Sequence, residues 1–175
     1  MVVGLDGVHT EPQDIISAAR AVLDDVKDPE IPVLSIKDIG MLRDVVLEDD
    51  GTVCVIITPT YSGCPAMGTI ASDIGLALAA AEIEPYRVVT KNIPVWNTAM
   101  ITDDARERMR AYGIAPPVNP SSEKQSLFAQ ETVPCPRCRS INTERVSEFG
   151  STACKSLFKC VDCLEPFEYF KCVRP

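Results

Sequence analysis

Cysteine spacing in the last third of the chain limits its folding options more than any other feature. Cys135-Pro136-Arg137-Cys138 and Cys160-Val161-Asp162-Cys163 are two C-x-x-C turns with 21 residues, 139–159, between them. Each C-x-x-C turn aims two thiolates at one point. A hairpin between two such turns brings the second pair back to the first and completes a tetrahedral four-sulfur site. The spacing is close to the roughly 15–20 residues usual for zinc sites of this kind. Thr143 to Phe149, Leu157 to Cys160 and Phe167 to Phe170 supply strands for the hairpin and a third return. A tail of ~40 residues has too little core to fold alone, and metal binding would supply the missing stability. Zinc held by Cys135, Cys138, Cys160 and Cys163 is therefore expected as a structural centre; iron uses the same ligands. Cys154 and Cys172 are left over, as alternative ligands, a second thiol pair or small buried hydrophobes.

The rest of the composition fits a metal reading better than a disulfide one. The chain has eight cysteines in 175 residues. MVVGLDGVHT carries no Lys or Arg and no long apolar stretch, so it does not read as a secretory signal, and a cytoplasmic location is expected. No run approaches the ~20 apolar residues of a membrane helix, so no membrane partner is expected. Net charge is −8. Residues 121–175 are near neutral and the first 120 hold 18 acidic against 9 basic residues. Binding to a phosphate backbone wants a positive surface, which neither part offers, so nucleic acid is not an expected partner.

Periodicity places the remaining elements. Thr10 and Gln13 form a capping box ahead of a helix with Ile15, Ala19, Val22, Leu23 and Val26 on one face, ending near Lys27 before Pro29 and Pro32. Leu42 to Leu47 and Val53 to Thr58 read as strands joined by the Glu48-Asp49-Asp50-Gly51 turn, the second lying centrally. Pro65 opens a helix whose buried stripe is Met67, Ile70, Ile74, Ala77, Leu78 and Ala81. Tyr86 to Lys91 is a short strand, and Ile93 to Ile101, with the single Trp96, is irregular. Thr102 caps a helix that stops at Gly113, with Ala105, Met109 and Tyr112 facing inward. Ala115 to Lys124, APPVNPSSEK, reads as a linker. The expected division is a first domain over 1–114, a linker over 115–132 and a metal-binding domain over 133–175.

Between the second strand and the second helix lies TPTYSGCPAM, Thr58 to Met67. With Pro65 as first helical residue, Cys64 is the N-cap, where the helix dipole and free N–H groups lower a thiol pKa. A reactive or metal-binding thiol fits that position, and so does a small, inert, buried cysteine. Cys54, inside the apolar strand, reads as core. The lone His9 lies far from Cys64 in sequence, so a Cys–His nucleophile is not expected, and no phosphate-binding glycine motif is present. Asp28 and Glu30 flank Pro29 as turn formers or as acid–base groups.

DPEIP (Asp28 to Pro32), TPTYSGCPAM and RMRAYGIAPP (Arg108 to Pro117), with CPRC, SEFGSTACK (Ser147 to Lys155) and EPFEYFKC (Glu165 to Cys172) in the tail, resemble the PaaD (PaaJ) family of phenylacetate degradation. Residues ~13–117 resemble the wider MIP18, or DUF59, domain of iron–sulfur assembly factors. The resemblance implies an α/β (α+β) fold: a small mixed sheet packed by helices, followed by a zinc ribbon. It implies a maturation or accessory role beside the phenylacetyl-CoA epoxidase, a multicomponent ring oxygenase, with the oxygenase components or their reductase as partners; no residue of the chain is assigned a catalytic role. It implies that Cys64 is the functional thiol, a ligand for transient iron or an iron–sulfur cluster. One thiolate cannot complete a cluster site, so a second chain, a small thiol or tail cysteines would add ligands; a homodimer across two Cys64 residues is one arrangement. The alternative is a stable, non-catalytic accessory subunit in which the ribbon docks and Cys64 only packs. Where PaaD-like proteins tend to carry an acidic residue shortly after the tryptophan, this chain has Ala99.

Overall fold

The computed structural model describes residues 11–118 and 132–171. Thr10, His9 and Cys172, named above, lie outside them. By contacts the chain divides into two compact units, Met1–Trp96 and Asn97–Pro175.

In the first unit, α1 (Pro12–Leu23) precedes β1 (Leu42–Leu47), β2 (Val53–Ile57), α2 (Met67–Ala80) and β3 (Tyr86–Thr90). The sheet order is β1-β2-β3, with β1 and β2 antiparallel and β2 and β3 parallel, so it is mixed. β2 lies in the middle as expected; Val53, Cys54, Val55 and Ile57 are buried. α1 and α2 pack on each other, α1 against β1 and α2 against β3. Gly75 lets β3 approach α2: a Cβ there would lie 2.8 Å from the Tyr86 hydroxyl oxygen.

Helix α1 stops at Leu23, earlier than the Lys27 expected, and its N-cap is Glu11, which makes no side-chain capping bond. The chain then runs through 28–41 without a regular element, yet Ile31, Leu34, Ile36, Ile39 and Met41 are at most 1% exposed. Local polar bonds make that burial tolerable, because buried amides need partners. The Asp28 carboxylate accepts from the Glu30 and Ile31 amides at 2.8 Å each. The Asp28 amide donates to Leu34 O at 2.9 Å and the Ile36 amide to Val26 O at 3.0 Å. Ser35 and Asp38 cap each other's amides at 2.7 and 3.2 Å. Trp96 is buried and donates its indole N–H to Ile39 O at 2.7 Å, which pins this segment from the far end of the unit.

The second unit contains α3 (Asp103–Tyr112), β4 (Ile114–Ala115), β5 (Thr143–Ser147), β6 (Lys155–Cys160) and β7 (Pro166–Phe170). Thr102 caps α3 by accepting from the Ala105 amide at 3.1 Å, and Gly113 ends it with φ at 97°, as the sequence suggests. Tyr112 is 53% exposed, not inward-facing as expected, because the buried stripe is only Ala105 and Met109. The second sheet runs β4-β7-β6-β5, antiparallel except for the parallel β4–β7 pair. β4 follows Gly113 directly, a strand too short to show a period. Among the described residues no helix is long and apolar enough to cross a membrane.

Candidate metal centre and junction cysteine

Strand β6 ends at Cys160, which places the second C-x-x-C turn at the mouth of the β6–β7 hairpin, and the first turn sits just before β5. Both turns close on their own backbone. The Cys135 amide donates to Ser140 O and the Arg139 amide to Cys135 O, at 2.9 and 3.0 Å; the Cys160 amide donates to Glu165 O at 2.9 Å. Arg139 and Leu164, each directly after the second cysteine of its turn, both adopt the left-handed backbone, at φ 67° and 63°. The two turns therefore share one geometry.

The Sγ atoms of Cys135, Cys138, Cys160 and Cys163 all lie within 4.8 Å of one another. Cys135 and Cys163 sulfurs are 3.7 Å apart, and those of Cys138 and Cys160 3.5 Å. A Zn–S bond of about 2.3 Å in a tetrahedron sets sulfurs about 3.8 Å apart. The donor set fits one tetrahedral ion. An iron–sulfur cluster, with its own irons and sulfides between the thiolates, needs them farther apart. Backbone amides of Cys163 and Asp162 draw Cys160 below the usual thiol range, while neighbouring sulfurs push Cys138 above it despite the Ser140 amide. Beneath the cage Cys135 and Cys160 join a buried cluster with Ala115, Phe158, Phe167 and Tyr169.

Cys154 is buried, with its sulfur 3.0 Å from the Thr152 hydroxyl, and is not in the four-sulfur group. It lies in the loop between β5 and β6, whose Gly150 passes so close to Glu168 that a Cβ there would meet Oε1 at 2.7 Å. Glu168 also accepts from the Ser151 amide at 2.6 Å and pairs with the buried Lys155 at 3.1 Å. The SEFGSTACK stretch is thus a loop stitched onto β7.

Cys64 is half-buried, and α2 begins only at Met67, with Ala66 as N-cap. Pro65 is therefore not its first residue, and Cys64 stands two residues before the cap. The expected lowering of its pKa does not occur. Burial pushes the thiol up and the carboxylates of Glu30 and Asp28 add to the effect, while the amides of Ala66 and Met67 only partly oppose it. The reason is tertiary: the DPEIP loop brings two acidic groups toward a thiol more than thirty residues later. Asp28 also lines an open cavity of about 390 Å³ between the end of α1 and α2, with Val22, Val26, Asp73 and Ala77. Cys54 is core, as expected. The sequence held one clue to the Asp28–Glu30–Cys64 grouping, the choice of two carboxylates around Pro29; nothing in its spacing pointed to Cys64.

A small helix-and-mixed-sheet unit with a thiol at its strand–helix junction, joined to a β-ribbon with a four-thiol cage, defines an iron–sulfur-assembly-type protein with a zinc ribbon. Comparisons agree. Residues 16–89 match the family described as iron-sulfur cluster assembly protein, and residues 119–171 the PaaD zinc beta ribbon domain. The chain is 48% identical over 153 residues to an Escherichia coli (strain K12) protein named as one subunit of a "Putative 1,2-phenylacetyl-CoA epoxidase", covering 87% of this chain and 90% of that one. It is 31% identical over 94 residues to the "Fe-S protein maturation auxiliary factor" of Porphyromonas gingivalis (strain ATCC BAA-308 / W83), covering 53% of this chain and 85% of that protein. A crystal structure of a DUF59 domain from Bacillus anthracis is 26% identical, covers 54% of this chain and 90% of its own, and has a TM-score of 0.49. The chain belongs to the PaaD family, the one that its Escherichia coli relative and its zinc ribbon define.

Proposed function

We propose that this chain is an accessory maturation protein of the phenylacetyl-CoA epoxidase system, helping to deliver iron or an iron–sulfur cluster to an oxygenase component or its reductase. Cys64 is the transient carrier ligand. Cys135, Cys138, Cys160 and Cys163 hold a resident zinc, which supplies folding stability to the second unit and no chemistry. The observation that carries this reading is the segregation of thiols: one half-buried cysteine stands apart in the unit that matches iron–sulfur assembly proteins, while four others close on themselves. Because the tail sulfurs are mutually engaged, a second chain or a small thiol is the better source of further ligands for Cys64, which favours a homodimer across two such residues.

The chain is to be purified without oxygen and its iron, zinc and acid-labile sulfide counted. About one zinc per chain, retained in Cys64→Ser, with iron and sulfide lost in that variant, supports the carrier role. Epoxidase iron content and activity unchanged in cells carrying Cys64→Ser would defeat it.

A second reading has its own support. The raised pKa of Cys64 keeps the thiol protonated near neutrality, which suits packing in a stable, non-catalytic accessory subunit. Co-purification with the epoxidase at fixed stoichiometry, insensitive to Cys64→Ser, would favour it. We also carry the division into 1–114, 115–132 and 133–175 as a proposal about folding pieces. A protease cut within 115–132 that leaves two stable fragments supports it; fragments stable only when the cut falls near Asn97 favour the division by contacts.

A further inference from the structure

The four-sulfur cage is made of two turns that are far apart in sequence, and the protein must hold them at the right separation. β6 pairs with β5 and β7, but its ladder stops at Cys160. Beyond it one backbone bond and several side-chain bonds link the turns. Asp162, the third residue of the second turn, accepts through one carboxylate oxygen from the Ser140 hydroxyl and through the other from the Asn142 side-chain amide, at 2.8 Å for the latter. Ser140 in turn accepts from the Asn142 amide at 3.0 Å, and the Val161 amide donates to Asn142 O at 2.9 Å. Arg137 of the first turn pairs with Glu165 just after the second. Of these links the Asp162 carboxylate alone gathers two side chains that follow the first turn.

We propose that Asp162 is a positioning residue for the ribbon's metal: its carboxylate clasps Ser140 and Asn142 so that the two C-x-x-C turns hold their four sulfurs at single-ion spacing. It does not touch the ion. The clasp slows metal loss, because opening the cage requires the turns to separate and two charge-assisted bonds to break first. The inference concerns the second unit alone and stands whether or not Cys64 carries iron.

Charge and clasp predict opposite signs, which makes the idea testable. A four-thiolate zinc centre is itself anionic, so an extra carboxylate beside it repels the thiolates and weakens the site. If Asp162 acted only through its charge, Asp162→Asn would retain zinc longer. If it acts as a clasp, the same variant loses zinc faster, because its bonds to Ser140 and Asn142 lose their charge assistance and weaken.

The experiment follows zinc release from the full-length, zinc-loaded chain to a chromogenic chelator. Asp162→Asn is expected to release about ten-fold faster, the lower end of what loss of an outer partner typically does to a metal site. Asn142→Ala keeps the charge and one of the two bonds, and should release faster by a smaller factor. The exchanged pair Asn142→Asp with Asp162→Asn restores one carboxylate–amide bond and should release more slowly than Asp162→Asn alone; a merely destabilised ribbon would not be rescued by a second change. Release from Asp162→Asn at the unaltered rate or slower, or no recovery in the exchanged pair, overturns the proposal.

Discussion

The buried ion pair of the ribbon offers a quantitative test of what holds the β5–β6 loop in place. Lys155 Nζ lies 3.1 Å from Glu168 Oε2, with side chains 4% and 24% exposed. At an effective dielectric constant of about 20 their gross attraction is about 5 kcal/mol, much of it offset by taking two charges out of water. The informative quantity is thus what happens when one partner is removed. Lys155→Met fills the same buried channel with an apolar stem and leaves Glu168 its bond from the Ser151 amide at 2.6 Å. It should cost about 2 kcal/mol, less than the loss typical of a fully buried pair. Glu168→Gln leaves the ammonium deep in the unit with no counter-charge, and should cost about 3 kcal/mol. Making both changes removes both charges and should cost no more than about 3 kcal/mol, well short of the sum. Native-state hydrogen exchange of the β6 and β7 amides in the zinc-loaded chain reads these free energies locally. Single-variant costs that add to within about 0.5 kcal/mol would show that the two side chains are not coupled, and the account of the loop would be wrong. Glu168 also sets a pH dependence. Its bonds from Ser151 and Lys155 outweigh burial and hold its carboxyl below the usual range. A depressed folded pKa contributes stability that is present above the unfolded glutamate pKa and lost as pH falls through the folded one. β6–β7 protection should therefore weaken on acidification in the wild type, and less steeply in Glu168→Gln.

Cys64 should react with iodoacetamide at neutral pH more slowly than a free thiol, its rate rising with pH to an inflection above the ordinary cysteine value. Asp28→Asn and Glu30→Gln should each shift that inflection down; an inflection that stays put in both would remove the carboxylates from the account. Gly75→Ala forces the Tyr86 ring aside and should destabilise the first unit by about 1–3 kcal/mol, with part of the loss recovered in the double variant with Tyr86→Phe. Urea unfolding monitored by Trp96 emission measures this, and a neutral Gly75→Ala would mean that the contact yields freely.

Much of the fold was legible because it rests on short-range rules. The β1–β2 hairpin follows from two apolar runs on either side of Asp-Gly, and α3 from Thr102 and Gly113, because capping and turn geometry are decided within a few residues. The C-x-x-C pairs point to the four-sulfur group for the same reason: two residues of spacing aim two sulfurs together, whatever lies between the pairs. By contrast, residues 28–41 show no period, since their apolar side chains are buried by an irregular path held by Asp28, Ser35 and Asp38.

Sequence by itself determined that this chain has a metal-type thiol cluster in its tail and an isolated thiol at a strand–helix junction. Only the tertiary structure decided how those thiols behave. Cys64 was expected to be acidified by a helix terminus; the helix starts later, and a distant loop delivers Asp28 and Glu30, which act the other way. The tail sulfurs were expected to converge, but that they do so within 4.8 Å, at the size of one ion, required both turns in place with Asp162 reaching across. Local bonding is written in neighbours along the chain. Electrostatic fields and the separation of two turns depend on groups brought together through space, which a list of residues does not order.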